Sequence, residues 1–160
     1  MTDGGTFGGK YAPQALSLLR IITALLLLQH ATAKLFGFPE TPLAFPPTMS
    51  LLWIAGVIEL VGGLLLLVGL FSRPVALLLA GEMAVAYLIV HAPQSIFPAV
   101  NQGEAAILLS FACLLIAAAG PGPWSIDEVR SRDPEPGVEG YAAPGGERQY
   151  SPEDFGDGKL

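Results

Sequence analysis

The ionisable side chains inside or at the ends of long apolar runs include His30, Lys34, Glu59, Glu82, His91 and Glu104. A carboxylate beside an imidazole can pass a proton, and an ammonium beside either can hold a negative or carbonyl oxygen. His30, Glu59 and Lys34 are therefore the catalytic candidates, with Tyr87, His91, Asn101 and Glu104 as a candidate binding pocket nearby. No histidine pair has metal-ligand spacing, and no nucleotide loop or nucleophile motif accompanies them. Two histidines on different runs raise an axial haem pair. His30 lies about four residues farther from its loop than His91, so their depths disagree and haem is disfavoured.

The elements that must carry these groups are helices. At about 100° per residue, Arg20, Thr23, Leu27, His30 and Lys34 form one narrow stripe. Such residues must turn toward other helices or water. Gly56, Glu59, Gly62, Gly63, Gly69 and Arg73 share a second face, opposite Leu60, Val61, Leu64, Leu67 and Val68. Small residues let backbones approach, so Gly62 and Gly63 are structural and deliver Glu59 to a tight helix seam. An acid there stays neutral unless a cation meets it. Glu59 is expected to face His30, with Lys34 above them, and the bland alternative is a buried ion pair that only fixes helix register. Tyr87 and His91 share a face of the third run, whereas Glu82 points toward Leu78, Val85 and Ile89 and needs a partner subunit or a proton. Glu104 suits the first turn of a helix, where the dipole favours an acid. Arg20, Arg73 and Glu82 are assigned structural roles.

An apolar share of 52% with mean hydropathy +0.55 is too high for a soluble domain of 160 residues. Four runs are read as spans, about 15–36, 51–71, 75–91 and 104–119, giving an all-α integral membrane four-helix bundle. Residues 1–14 read as a flexible N-terminus and 128–160 as a disordered acidic tail. From Asp127 onward nine acids face four bases, so the net charge of -6 belongs mostly to the tail. No basic cluster suggests nucleic acid. The single Cys113 excludes an intrachain disulfide framework. Lys10, Arg20, Arg73, Arg130 and Arg132 oppose Lys34 alone, which places both termini in the cytoplasm. Ile21 to Leu28 followed by Ala31-Thr32-Ala33 mimics a cleavable signal peptide. The full run exceeds the roughly 7–15 apolar residues of a signal core and carries the polar stripe, which favours a retained span.

The chain resembles the DoxX family of small four-helix bacterial membrane proteins. The resemblance rests on His30 with Lys34-Leu35-Phe36-Gly37, Glu59-Leu60-Val61-Gly62-Gly63, Gly69-Leu70-Phe71-Ser72-Arg73 and Gly81-Glu82-Met83-Ala84-Val85-Ala86-Tyr87. It continues through His91-Ala92-Pro93, Asn101-Gln102-Gly103-Glu104 and Ala119-Gly120-Pro121-Gly122-Pro123-Trp124-Ser125-Ile126-Asp127, covering roughly Leu16 to Asp127. The long acidic tail departs from the family's short ending. The resemblance implies a location in the bacterial plasma (inner) membrane and a loose link to respiratory redox chemistry, with relatives described as subunits of quinone-coupled sulfur oxidoreductases or partners of thiol and superoxide enzymes. It raises three functions: a membrane subunit of a quinone-linked oxidoreductase, a small proton-coupled transporter, or a non-catalytic anchor for a redox complex. Quinone is the cofactor to consider, and the partners are the lipid bilayer with redox-complex subunits or further copies of the chain.

Overall fold

The structure, a computed structural model, describes residues 7–132. Helix α1 (Phe7–Phe36) is followed by α2 (Leu51–Val68) and α3 (Ser72–Ala86), which a π-helical turn extends over Tyr87–His91. A short α4 (Pro98–Asn101), α5 (Glu104–Ala119) and α6 (Ile126–Arg132) complete the described chain, in which there is no strand. It is an all-α membrane protein. Gly9–Phe36, Leu51–Val68 and Ser72–His91 are long and apolar enough to cross a bilayer. The expected count of four spans is reached only with α5, whose 16 residues make about 24 Å of helix, less than the roughly 30 Å of hydrocarbon.

Three boundaries differ from the expected ones. Helix α1 begins at Phe7 rather than near residue 15 and carries Pro13 inside it. A proline removes one donor and crowds the preceding turn, yet the long apolar helix continues through it. Helix α3 takes in Ser72, Arg73 and Pro74, which had looked like loop, because α2 closes abruptly at Gly69. Gly69 has φ 73°, and the bonds Gly69 N–H to Leu66 O (3.2 Å) and Leu70 N–H to Leu65 O (2.9 Å) form a Schellman stop. Residues 128–132, assigned to the tail, instead belong to α6. Its start is a Ser-x-x-Glu sequence in which Ser125 Oγ accepts from Glu128 N–H at 3.2 Å. The rest of the expected tail, and residues 1–6, lie outside the described residues.

The helices pack as two pairs, α1 on α2 and α3 on α5, with α2 also against α3. The buried seam of α1 runs Ser17, Arg20, Ala24, Leu27, Ala31, Lys34, in steps of three and four. On α2 the seam is Gly56, Glu59, Gly62, Gly63 and Leu66. A Cβ at Gly63 would lie 2.9 Å from Leu28 Cγ, and one at Gly62 would lie 3.0 Å from Leu79 Cδ2. The glycines therefore set how closely α1 and α3 approach α2. Leu79, Ala80 and Met83 of α3 close against Leu109, Cys113 and Ile116 of α5 in the same core, and Ser110 Oγ donates to Ala80 O at 2.9 Å across this pair. Val61, Leu64, Leu78 and Leu108 are exposed, as apolar side chains facing lipid should be.

Helix α6 folds back on the α2–α3 turn. Asp127 accepts from Phe71 N–H at 2.9 Å and from Ser72 N–H at 2.7 Å, capping the start of α3. An anion there also meets the positive end of the helix dipole. Burial on its own would raise the Asp127 carboxyl, but the Ser72 and Phe71 N–H groups and the Arg130 charge hold it below its ordinary value. A folded value below the unfolded one, about 3.9 for aspartate, stabilises the fold at neutral pH and loses that effect as pH falls through the folded value. The stability gap between wild type and Asp127→Asn in an equilibrium unfolding series should therefore be open at pH 7 and narrow as pH falls below about 4. A gap independent of pH would contradict this electrostatic role.

Candidate functional site

Helix α1 delivers Lys34 and α2 delivers Glu59 to one buried point of the bundle. Lys34 Nζ lies 2.6 Å from Glu59 Oε1 and 2.7 Å from Oε2. The residues are 9% and 1% exposed, so this is an ion pair shielded from solvent and lipid together. Gly56, one turn before Glu59, makes room: a Cβ there would press on Leu35 at 3.1 Å and on Lys34 Cβ at 3.4 Å. The carbonyl of Lys34 also accepts from Phe45 N–H at 2.8 Å, which folds the proline-rich connection back over this end of α1.

His30 does not face Glu59, contrary to expectation. The reason is the phase of α1: its buried seam passes through Ala31, about 100° around the helix from His30. His30 is exposed and lines a groove of about 300 Å³ between α1 and α5. Thr23, Leu26, Leu108 and Ala112 share that groove, and Thr23 is itself only 2% exposed. It is an almost wholly apolar trough with an imidazole and a hydroxyl in its wall. A larger depression of about 590 Å³ lies at the Arg73 end, lined by Pro13, Pro121, Glu128 and Arg132 among others. Its arginines are already engaged, Arg73 with α5 carbonyls and Arg132 with Glu128 of the same lining at 3.1 Å.

Glu82 also departs from the outward direction expected of it. Both of its carboxylate oxygens are buried, and among the described residues neither has a hydrogen-bond partner. They interact electrostatically with Glu59 and Lys34, so three ionisable groups from α1, α2 and α3 converge.

The candidate binding pocket is divided. Tyr87 and His91 stack with ring centroids 6.4 Å apart, and His91 Nδ1 lies 2.9 Å from Asn101 O. A carbonyl can only accept, so Nδ1 carries the hydrogen in this contact. Asn101 is 2% exposed. It donates to Ser95 O at 2.7 Å and accepts from Gly103 N–H at 2.7 Å. Gly103 admits the Tyr87 ring, which a Cβ there would meet at 2.6 Å. The π-turn brings these residues together, as such turns do near functional sites, but they knit the α3–α5 connection rather than join Lys34 and Glu59. Glu104 stands exposed at the start of α5.

At the other end of the bundle, the two structural arginines bind helix C-termini. Arg20, wholly buried, donates from Nε to Pro121 O at 3.0 Å, from Nη1 to Leu66 O and to Leu67 O at 2.6 Å, and from Nη2 to Trp124 O at 2.5 Å. Arg73 reaches Ala117 O at 3.1 Å and Ala118 O at 2.7 Å at the end of α5. Four carbonyls at Arg20, further carbonyls at Arg73 and the negative ends of two helix dipoles thus take the place of carboxylate partners. Ser17 and Asp127, which the spacing arguments passed over, complete this end. Ser17 Oγ accepts from Trp124 N–H at 3.1 Å, and Asp127 caps α3 through bonds to backbone N–H groups, which leave no mark on residue type.

Fold and site define an integral membrane helical protein organised around a buried lysine–glutamate pair. The chain matches the DoxX family over residues 15–92. A protein of Haemophilus influenzae, described as an uncharacterized protein, is 39% identical over 123 residues, spanning 74% of this chain and 92% of that protein. The chain belongs to the DoxX family. No solved structure matches it.

Arg20→Lys keeps the charge but cannot reach four carbonyls with one ammonium. Removing hydrogen bonds from a buried charged donor costs about 1.5–3 kcal/mol each. The variant should therefore unfold at clearly lower denaturant in detergent, and a wild-type midpoint would contradict the clasp.

Proposed function

We propose that this DoxX protein is a membrane subunit of a quinone-linked oxidoreductase, with the quinone seated in the α1–α5 groove. The observation that carries this reading is the groove itself. Ile22, Leu26 and Leu108 offer an apolar trough open to the side, while His30 and Thr23 supply polar groups in its wall. A volume of about 300 Å³ suits a ring-sized headgroup, since ligand pockets start near that size. An isoprenoid tail would continue along the lipid-facing flank.

Lys34 was the sequence candidate for binding a quinone carbonyl. Its ammonium is committed to Glu59 through both carboxylate oxygens, so that task passes to His30, with Thr23 as a second donor. His30 would hydrogen-bond the carbonyl oxygen and deliver a proton as it becomes a hydroxyl. Reduction to quinol takes two electrons, which come from a partner redox subunit, and two protons, the first passed on by His30 and the second taken from water at the membrane surface. The protein sits in the bacterial inner membrane with both termini cytoplasmic, an orientation that follows from Lys10, Arg20 and Arg73 opposing Lys34.

The mutual saturation of Lys34 and Glu59 favours a second reading, a non-catalytic anchor in which the buried pair is only bundle glue. Short-chain ubiquinone and menaquinone analogues, titrated against the purified protein in nanodiscs, separate the two. His30→Ala removes one hydrogen bond worth about 0.5–1.5 kcal/mol, so affinity should fall roughly two- to tenfold. Leu108→Trp, filling the groove, should abolish binding. Failure of the wild type to bind, or equal affinity in both variants, would leave the anchor reading.

A further inference from the structure

Glu82 has no place in the quinone reading. It lies on α3, among helices, with both carboxylate oxygens buried and without a hydrogen-bond partner among the described residues. The titratable groups that interact with it electrostatically are Glu59 from α2, Lys34 from α1 and Cys113 from α5. His30 is the further titratable neighbour of Lys34. This set contains two carboxyls and one ammonium.

In hydrocarbon an unbalanced charge is costly, so buried ionisable groups pair or neutralise. The Lys34 ammonium balances one carboxylate, and its contacts at 2.6 and 2.7 Å both go to Glu59. Among the described residues no second cation interacts with Glu82, and no backbone or side-chain donor reaches its oxygens. One proton makes the trio electrically neutral. We propose that Glu82 holds that proton, so that Lys34, Glu59 and Glu82 form a membrane-embedded proton-binding site shared by two carboxyls and one ammonium.

The arrangement has two neutral forms. In the first, whose Lys34–Glu59 contacts the structure shows, the proposed hydrogen is on Glu82. In the other, the O–H bond at Glu82 breaks, one forms at Glu59, and the ammonium moves to the Glu82 carboxylate. Total charge is the same in both, so the proton can change owner without leaving a net charge in the membrane. Neither quinone nor His30 is needed for the site to exist.

Infrared spectroscopy of the purified protein in nanodiscs at pH 7 tests this through the carbonyl stretch of a protonated carboxyl, identified by its shift in deuterium oxide. Wild type should show one such band. Glu82→Gln should lose it. Glu59→Gln should lose it as well, because Lys34 is then free to pair with Glu82, and this variant answers the question should Glu82→Gln fail to fold. Lys34→Met removes the ammonium and should double the band, both carboxyls now holding protons. Absence of the band in wild type, its persistence in either glutamine variant, or an unchanged band in Lys34→Met would overturn the proposal.

Discussion

The Lys34–Glu59 pair is the constraint on which the bundle depends. Each charge alone would be intolerable between apolar helices, and each is admitted only because the other arrives at the same depth from a different helix. This ties the register of α1 to that of α2. The glycines follow from the same requirement, since Gly56, Gly62 and Gly63 let α1 and α3 come close enough to α2 for Lys34 to reach Glu59.

The opposite end solves a related problem with backbone rather than side-chain acids. Helices α2 and α5 end with carbonyls that have no partner in their own helix, and Arg20 and Arg73 satisfy them. The start of α3 leaves N–H groups unsatisfied, and Asp127 accepts them. Charges of both signs are thus matched to helix ends of opposite polarity, and the connections Gly69–Phe71 and Gly120–Ser125 are held between them. Among the described residues, the buried side-chain oxygens left without a partner are the Ser72 hydroxyl and both carboxylate oxygens of Glu82.

The spacing of residues revealed much of the architecture. Glycines around Glu59 marked the α2 seam because a stripe of small residues in an otherwise bulky helix has one physical use, close approach. The stripe on α1 was legible but misphased by its polar members. Ala24 and Ala31 lie on the seam, and alanine carries no chemical flag, whereas His30, which does, sits at the margin facing α5. The partner of Glu59 was consequently assigned to His30 when Lys34, one turn farther along, is the group that reaches it. Arg20 showed its burial in the sequence but not its partners, because carbonyls at the end of another helix leave no mark on residue type. Glu82 was read as outward-facing from helix phase alone. A long side chain can carry its carboxyl around the helix, and phase locates only its Cβ.

Exchange of the two partners tests the central claim most directly. Lys34→Glu leaves Glu59 and Glu82 beside a third carboxyl with no cation among them, whereas the double variant Lys34→Glu, Glu59→Lys restores one ammonium and one carboxylate at the same point. Membrane-inserted, folded protein should fall at least tenfold in the single variant and return to near the wild-type level in the double. Equal accumulation of the single variant and wild type, or a double variant no better than the single, would contradict a bundle organised by this pair.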